Sequence, residues 1–377
     1  MNKRVAIVYD WIDKWGGVER VLLGFHEIFR QADFFTSYHN KNEADWAKDL
    51  KIKTSFIQRL PSFLRKSRVF SFPFYPFAFE SFDFSGYDLV ISVTSSFAKG
   101  VITKTGTKHI CYLLTPTRYF WLYPELYIKK TLFAPLVFSY INKMKQWDYA
   151  AAQRPDEIIS ISQTVAGRCR KYYHRESKVI YPPFDIGYWG KIKAEILNSS
   201  WQTNSKFKIL NSTPYYLIVS RLEPYKRVDI AIDVFNKNGK KLAVIGEGGQ
   251  AKKLKKKAGA NIYFFSKLSD QELGWLYTNA QALIMPQEED FGYSALEAQF
   301  FQCPVVAYKR GGATETVIEG KTGIFFDRQS PKALIAALER YIKIAYNLKY
   351  QLKKTTENNI KKFDRKKFED AFIKIIK

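Results

Sequence analysis

Residues 281–301 read QALIMPQEEDFGYSALEAQFF, and the rest of the chain is best read outward from them. An apolar run from Ala282 to Met285 stops at Pro286. An acidic loop with Glu288, Glu289 and Asp290 follows, and beyond Gly292 the spacing of Ala295, Leu296 and Ala298 is helical. This is the pattern of a buried strand that delivers carboxylates to the mouth of a helix. Glu289 lies in the loop and Glu297 eight positions later on the helix, so one acid faces a ligand at the strand's carboxyl edge while the other reaches it from the side. The amides near Phe291 and Gly292 would meet an anion at a positive helix end. Acids in front of a helix also serve as ordinary N-terminal residues, so the surrounding pattern has to decide between these uses.

That pattern is repetitive. Further strands are predicted at 215–220, 241–245, 261–265, 305–308 and 323–326, with helices near 228–236, 250–257, 270–280, 293–302 and 331–344. The first half shows the same rhythm, with strands at 4–10, 33–37, 53–57, 88–93, 108–113 and 157–162. Such alternation argues for doubly wound parallel sheets. Prolines near Val179–Asp185 end a strand, and the segment to Pro214 is polar and weakly periodic, so a domain boundary is expected there. The division expected is 1–185, 186–355 and a C-terminal helix over 356–377.

With 377 residues, 46% apolar and 25% charged, the chain suits two globular domains. Cys111, Cys169 and Cys303 are scattered and no His/Cys cluster appears, which reads as a reduced, cytosolic protein with no disulfide framework and no structural metal. The first apolar run is broken early by Asp10, unlike a signal peptide. The tract from Leu132 to Ile141 falls short of the roughly 20 residues a membrane span needs. The net charge of +24, spread over both halves, implies an anionic partner: nucleic acid, phospholipid or a phosphorylated substrate. From Arg340 the chain is basic and reads as helical to its end.

Two aromatic stretches stand out. Residues 68–87, RVFSFPFYPFAFESFDFSGY, follow Arg59, Arg65 and Lys66; they suit either a membrane interface or lipid groove, or irregular core. Residues 118–127, RYFWLYPELY, suit core packing, with sugar stacking as the sharper reading.

Three further features bear on chemistry. Arg221 and Lys226 fall in the loop after the strand at 215–220, where fixed cations can hold a diphosphate as charge grows on it. Gly246-Glu247-Gly248-Gly249 follows the next strand and permits a tight turn beside a ligand. Gly16 and Gly17 do the same before a helix carrying Val21, Leu22, Phe25 and Ile28 on one face. Ligands in open α/β sheets bind off the carboxyl ends of strands, and the second-half features all map to that edge.

The order Gly16-Gly17, Arg221-Leu222-x-Pro-x-Lys226, Glu289-Asp290-Phe291-Gly292-x4-Glu297-Ala298 and Gly311-Gly312-x-x-Glu315 resembles the retaining glycosyltransferases of family 4, which have the GT-B fold of two Rossmann-like domains facing a cleft. Tyr9-Asp10-Trp11 and Thr115-Pro116-x-Arg118-Tyr119-x-Trp121 resemble more narrowly the mannosyltransferases of bacterial O-antigen and surface-polysaccharide assembly. The resemblance implies that Arg221 and Lys226 bind a donor's diphosphate. Glu297 would bind the ribose, Glu289 the donor sugar beside the Phe291 and Gly292 amides, and Gly16 and Gly17 would let the first domain's loop close over the phosphate; Gly246, in the turn after the strand at 241–245, is a further donor-binding candidate. The resemblance further implies a nucleotide-sugar donor, GDP-mannose favoured, and neither cofactor nor metal. The basic charge and the Phe-rich stretch favour a glycan or polyprenyl-diphosphate-linked acceptor at the inner face of the cytoplasmic membrane, where an anionic surface is a further partner. The last helix would cross back onto the first domain. One position departs: relatives usually carry His before Thr-Pro, where this chain has Leu114. Other readings are a GT-B nucleotide-sugar epimerase, an inactive homologue, and a basic nucleic-acid-binding protein. No nucleic-acid partner is expected, since no helix-turn-helix, zinc-finger or RNP-type motif appears and the acidic loop would repel a phosphate backbone.

Overall fold

The computed structural model describes residues 3–127, 134–198, 207–211 and 213–376. They form two compact units, Met1–Pro183 with Lys366–Lys377, and Phe184–Arg365. In the first, β1 (Val5–Tyr9), β2 (Asp33–Thr36), β3 (Lys51–Thr54), β4 (Leu89–Thr94), β5 (Lys108–Leu113), β6 (Glu157–Ser160) and β7 (Lys178–Val179) make one parallel sheet in the order β3-β2-β1-β4-β5-β6-β7. In the second, β8 (Tyr215–Val219), β9 (Lys241–Ile245), β10 (Ile262–Phe265), β11 (Leu283–Met285), β12 (Val305–Tyr308) and β13 (Gly323–Phe326) pair in parallel as β10-β9-β8-β11-β12-β13. Strands such as VAIVY and YYLIV are apolar throughout because helices cover both faces of a parallel sheet. In each unit the strand order reverses beside the first strand. The crevice that opens at such a reversal, off the carboxyl ends, is where ligands bind in this architecture. It falls between β1 and β4 in the first unit, and between β8 and β11 in the second.

Several local expectations need correction. The strand predicted at 53–57 ends at Thr54, because the Ser55 hydroxyl accepts from the Ile57 amide and caps a 3-10 turn over Phe56–Arg59. The weakly periodic segment after residue 185 contains the helix Ile186–Asn198. Trp189, Ile192 and Ile196 recur on its inner face, and the Trp189 ring meets Phe301 edge-on at 5.7 Å. Residues 199–206 and 212, also in that segment, lie outside the described residues. The helix predicted from 331 is one element of 30 residues, Pro331–Ile360, capped by the Ser330 side chain. A turn at 361–363 then leads to the helix Arg365–Ile376, whose Phe368 and Phe372 pack on Phe25 and Tyr112 of the first unit.

The Phe-rich stretch divides its side chains between both expected fates. Tyr75, Ala78, Phe79 and Phe84 join the core around Val8, Phe35 and Val90, while Val69, Phe70, Phe74 and Phe77 remain exposed. No helix among the described residues is long and apolar enough to cross a membrane.

Candidate functional site

In the second unit the chain leaves β8 at Val219 and turns through the 3-10 segment Pro224–Lys226, closed by Arg227 in a left-handed conformation at φ 51°. That turn drives Lys226 inward, where its Nζ donates to both carboxylate oxygens of Glu289 at 2.6 Å. Glu289 follows β11, the strand paired with β8, so residues 63 apart in sequence meet across the reversal point. Gln287 Nε2 donates to Glu289 Oε1 at 2.7 Å. Burial pushes the Glu289 carboxyl up, but Lys226 and Gln287 outweigh it and hold the group below its ordinary value. Glu289 is therefore an anion with a fixed orientation.

Backbone crossings hold this loop. Gly312 N donates to Glu289 O at 2.7 Å. A Cβ on Gly311, at φ 73°, would lie 2.2 Å from that same oxygen, and one on Gly312 would lie 2.4 Å from the Phe291 backbone. Only glycine fits such an approach. Gly246 does the equivalent work at the end of β9: its φ is 142°, and a Cβ there would stand 2.0 Å from Ser220 O, at the root of the Arg221 loop. Gly292, at φ 94°, opens the helix Tyr293–Phe300. Glu297 sits on this helix, buried, with Oε2 accepting from the Tyr277 hydroxyl at 2.9 Å. Phe291 is buried against Tyr293 and Phe363.

Arg221 differs from Lys226. It is exposed, its Nη2 donates to the Tyr225 hydroxyl at 2.7 Å, and no carboxylate among the described residues forms an ion pair with it. The second unit thus brings Arg221, Lys226, Gly246, Glu289, Phe291, Gly292 and Glu297 to the region off β8, β9 and β11. Gly16 and Gly17 belong to the first unit, exposed in the loop between β1 and the helix Glu19–Ile28. Among the described residues, no group of three or more His, Cys, Asp or Glu is placed to hold a metal ion.

Sequence reasoning missed two positions here. Gln287 carried a faint sign, standing two residues before Glu289 in the same loop. Tyr277 carried none, because only the fold sets its helix against Glu297.

At the reversal point of the first unit, buried Asp10 accepts from Thr94 Oγ1 at 3.0 Å and from the amides of Ser95, Phe97 and Ala98 at 2.8 Å each. Burial raises its pKa and those amides offset part of the rise. Asp10 thereby ties the loop after β4 to that after β1. The stretch at 118–127 sends one described side chain fully into the core and ties a second to a buried carboxylate. Phe120 is buried, and Trp121 Nε1, Thr117 Oγ1, Tyr173 OH and Lys99 Nζ all donate to buried Asp148. His109 lies within β5, bonded to Ser92, and burial lowers its pKa to about 4. It is neutral at pH 7 and remote from the strand end where Leu114 is buried.

Two Rossmann-type parallel sheets, one in each unit, make the GT-B fold. The whole chain superposes on Anabaena HepE, solved in complex with UDP-glucose, with a TM-score of 0.70 over 99% of each chain and 18% identity. Residues 200–362, which lie in the second unit, match the family model of glycosyl transferases group 1. The chain is similar to glycogen synthase of Xanthomonas campestris, 28% identical over 48% of this chain and 40% of the synthase. It is also similar to the human alpha-1,3/1,6-mannosyltransferase, 24% identical over 45% of each. The chain therefore spans less than half the length of either relative.

Proposed function

We propose that the protein is a retaining, metal-independent hexosyltransferase that moves a hexose, mannose by preference and from GDP-mannose, to a glycan or polyprenyl-diphosphate-linked acceptor in surface-polysaccharide synthesis, working peripherally at the inner face of the cytoplasmic membrane. The observation that carries this reading is the Lys226–Glu289 pair, buried at the reversal point beside exposed Arg221. A diphosphate needs cations, and here one is fixed within the loop while the other is open to solvent. The family match over residues 200–362 and the similarity to a mannosyltransferase support hexose transfer.

In this reading the bond from the sugar's anomeric carbon to the diphosphate oxygen breaks, and the acceptor oxygen bonds to that carbon on the same face. The departing phosphate takes the acceptor's proton. Arg221 and Lys226 compensate the charge that grows on the diphosphate. Glu289, held ionised and oriented by Lys226 and Gln287, positions the sugar and supports its oxocarbenium character. Glu297, oriented by the Tyr277 hydroxyl, binds the ribose.

Thermal unfolding with GDP-, UDP- and ADP-sugars, followed by product analysis, tests the reading. GDP-mannose is expected to raise the Tm most and to be consumed only with an acceptor. Consumption without acceptor identifies an epimerase, and no shift with any nucleotide removes the proposal. Tyr277→Phe gives a finer check. Losing one hydrogen bond of about 1 kcal/mol is expected to raise KM for the donor roughly fivefold with kcat unchanged. A fall in kcat at constant KM would contradict the ribose role of Glu297.

A further inference from the structure

We propose that the exposed face of residues 62–77 docks on an anionic phospholipid bilayer. This deepens the peripheral placement proposed above and rests on that reading for its purpose, though not for the docking itself. In this segment successive helical turns, Ser62–Arg65, Phe72–Phe74 and Tyr75–Glu80, alternate between core and solvent. Tyr75 and Phe79 turn inward. Phe63, Val69, Phe70 and Phe77 turn outward, with exposures of 67, 79, 60 and 64%. Four large apolar side chains so exposed within fifteen residues are far from the scattered single exposures of an ordinary surface.

Charge selects the occupant. No Asp or Glu occurs from residue 50 to residue 79, whereas Arg59 and Lys66 are exposed within this segment. Aromatic and aliphatic side chains at the level of the headgroups, with cations at their margin, match the two attractions of an anionic membrane surface. Residues 50–79 contribute cations and no acids of their own, which disfavours a cationic partner, and a second copy of this chain, at +24, would be repelled.

The patch is also anchored to the β1 crevice. Arg68 Nη2 bonds Asp13 Oδ2 at 2.6 Å, and its guanidinium lies 4.4 Å from the centre of the Trp11 ring. Both residues belong to the loop that continues into Gly16-Gly17. Docking would set this loop beside the bilayer, within reach of an acceptor carried on a lipid.

The test is flotation of the full chain with vesicles of phosphatidylcholine alone or mixed with phosphatidylglycerol, run without donor or acceptor. Wild type is expected to float only with the mixed vesicles and to be released by salt. Phe70→Ser combined with Phe77→Ser is expected to lower the bound fraction at least about tenfold. Phe70→Glu covers the case in which the double variant folds poorly. Tyr346→Ser, at an exposed aromatic in the helix Pro331–Ile360, and Glu289→Gln are expected to float like wild type. Wild type that stays soluble, Phe70 variants that float fully, or vesicle-independent self-association lost with Phe70 each overturns the proposal. Because no turnover is read, failure here leaves the transfer reaction standing, and loss of turnover in Glu289→Gln leaves the docking standing.

Discussion

Arg221→Ala is expected to lower kcat by about 100- to 1000-fold, the usual effect of deleting one preorganised group that meets charge developing in the transition state. Stability is expected to stay within roughly 0.5 kcal/mol of wild type, because a substitution at an exposed side chain costs little and the Arg221 guanidinium bonds a neighbouring hydroxyl, that of Tyr225, rather than a carboxylate among the described residues. That separation makes the experiment decisive. A variant that folds normally and turns over within about threefold of wild type would show that the loop after β8 does not hold the leaving group. Arg221→Lys should recover only part of the loss, since an ammonium keeps the charge and lacks the planar fork that grips two phosphate oxygens.

Lys226→Met is the second large effect, and it reverses a pH dependence. Both side chains of the pair are largely buried, 7% exposed for Lys226 and 15% for Glu289. Removing the cation leaves an uncompensated carboxylate, at a cost of about 3 kcal/mol at neutral pH. In wild type the Glu289 carboxyl is held below its ordinary value of 4.5. Its contribution is therefore complete above that value and is lost as pH falls through the depressed one. In Lys226→Met burial acts without the cation, and the folded-state pKa moves above the unfolded one. The variant then regains stability as pH drops from 7 toward about 4.5, because protonation removes the buried charge. Urea unfolding at pH 7 and pH 5 reads the sign directly. A deficit equal at both values would mean that Glu289 does not carry the cost. Glu289→Gln added to Lys226→Met should restore much of the loss by removing the stranded charge.

The parts of this protein legible in its sequence are those that depend on neighbours along the chain. Runs such as VAIVY and LIM, closed by Asp10 and Pro286, announce buried strands, and their alternation with helical spacing implies two doubly wound sheets. The positions just after β8 and β11 could be assigned to one edge because parallel strands all point the same way. Local patterning was less informative where one segment serves two surroundings. Residues 68–87 read as either core or interface, and the fold divides them, with Tyr75 and Phe79 inside and Phe70 and Phe77 outside. The helix Ile186–Asn198 carried its i, i+3, i+7 signature in Trp189, Ile192 and Ile196, obscured by the polar residues between them.

What the sequence by itself determined is therefore the class of fold and the set of charged residues brought to one edge of the second sheet, since strand direction and the 3.6-residue period are properties of the local backbone. Only the tertiary structure decided which of those charges touch. Lys226 is bound to Glu289 while Arg221, five residues away, faces solvent; Glu297 is clasped by Tyr277; and Gly311 and Gly312 are required by a backbone crossing rather than by a turn. Those partners lie many residues apart, and side-chain pairing follows the approach of strands and loops that no local pattern encodes.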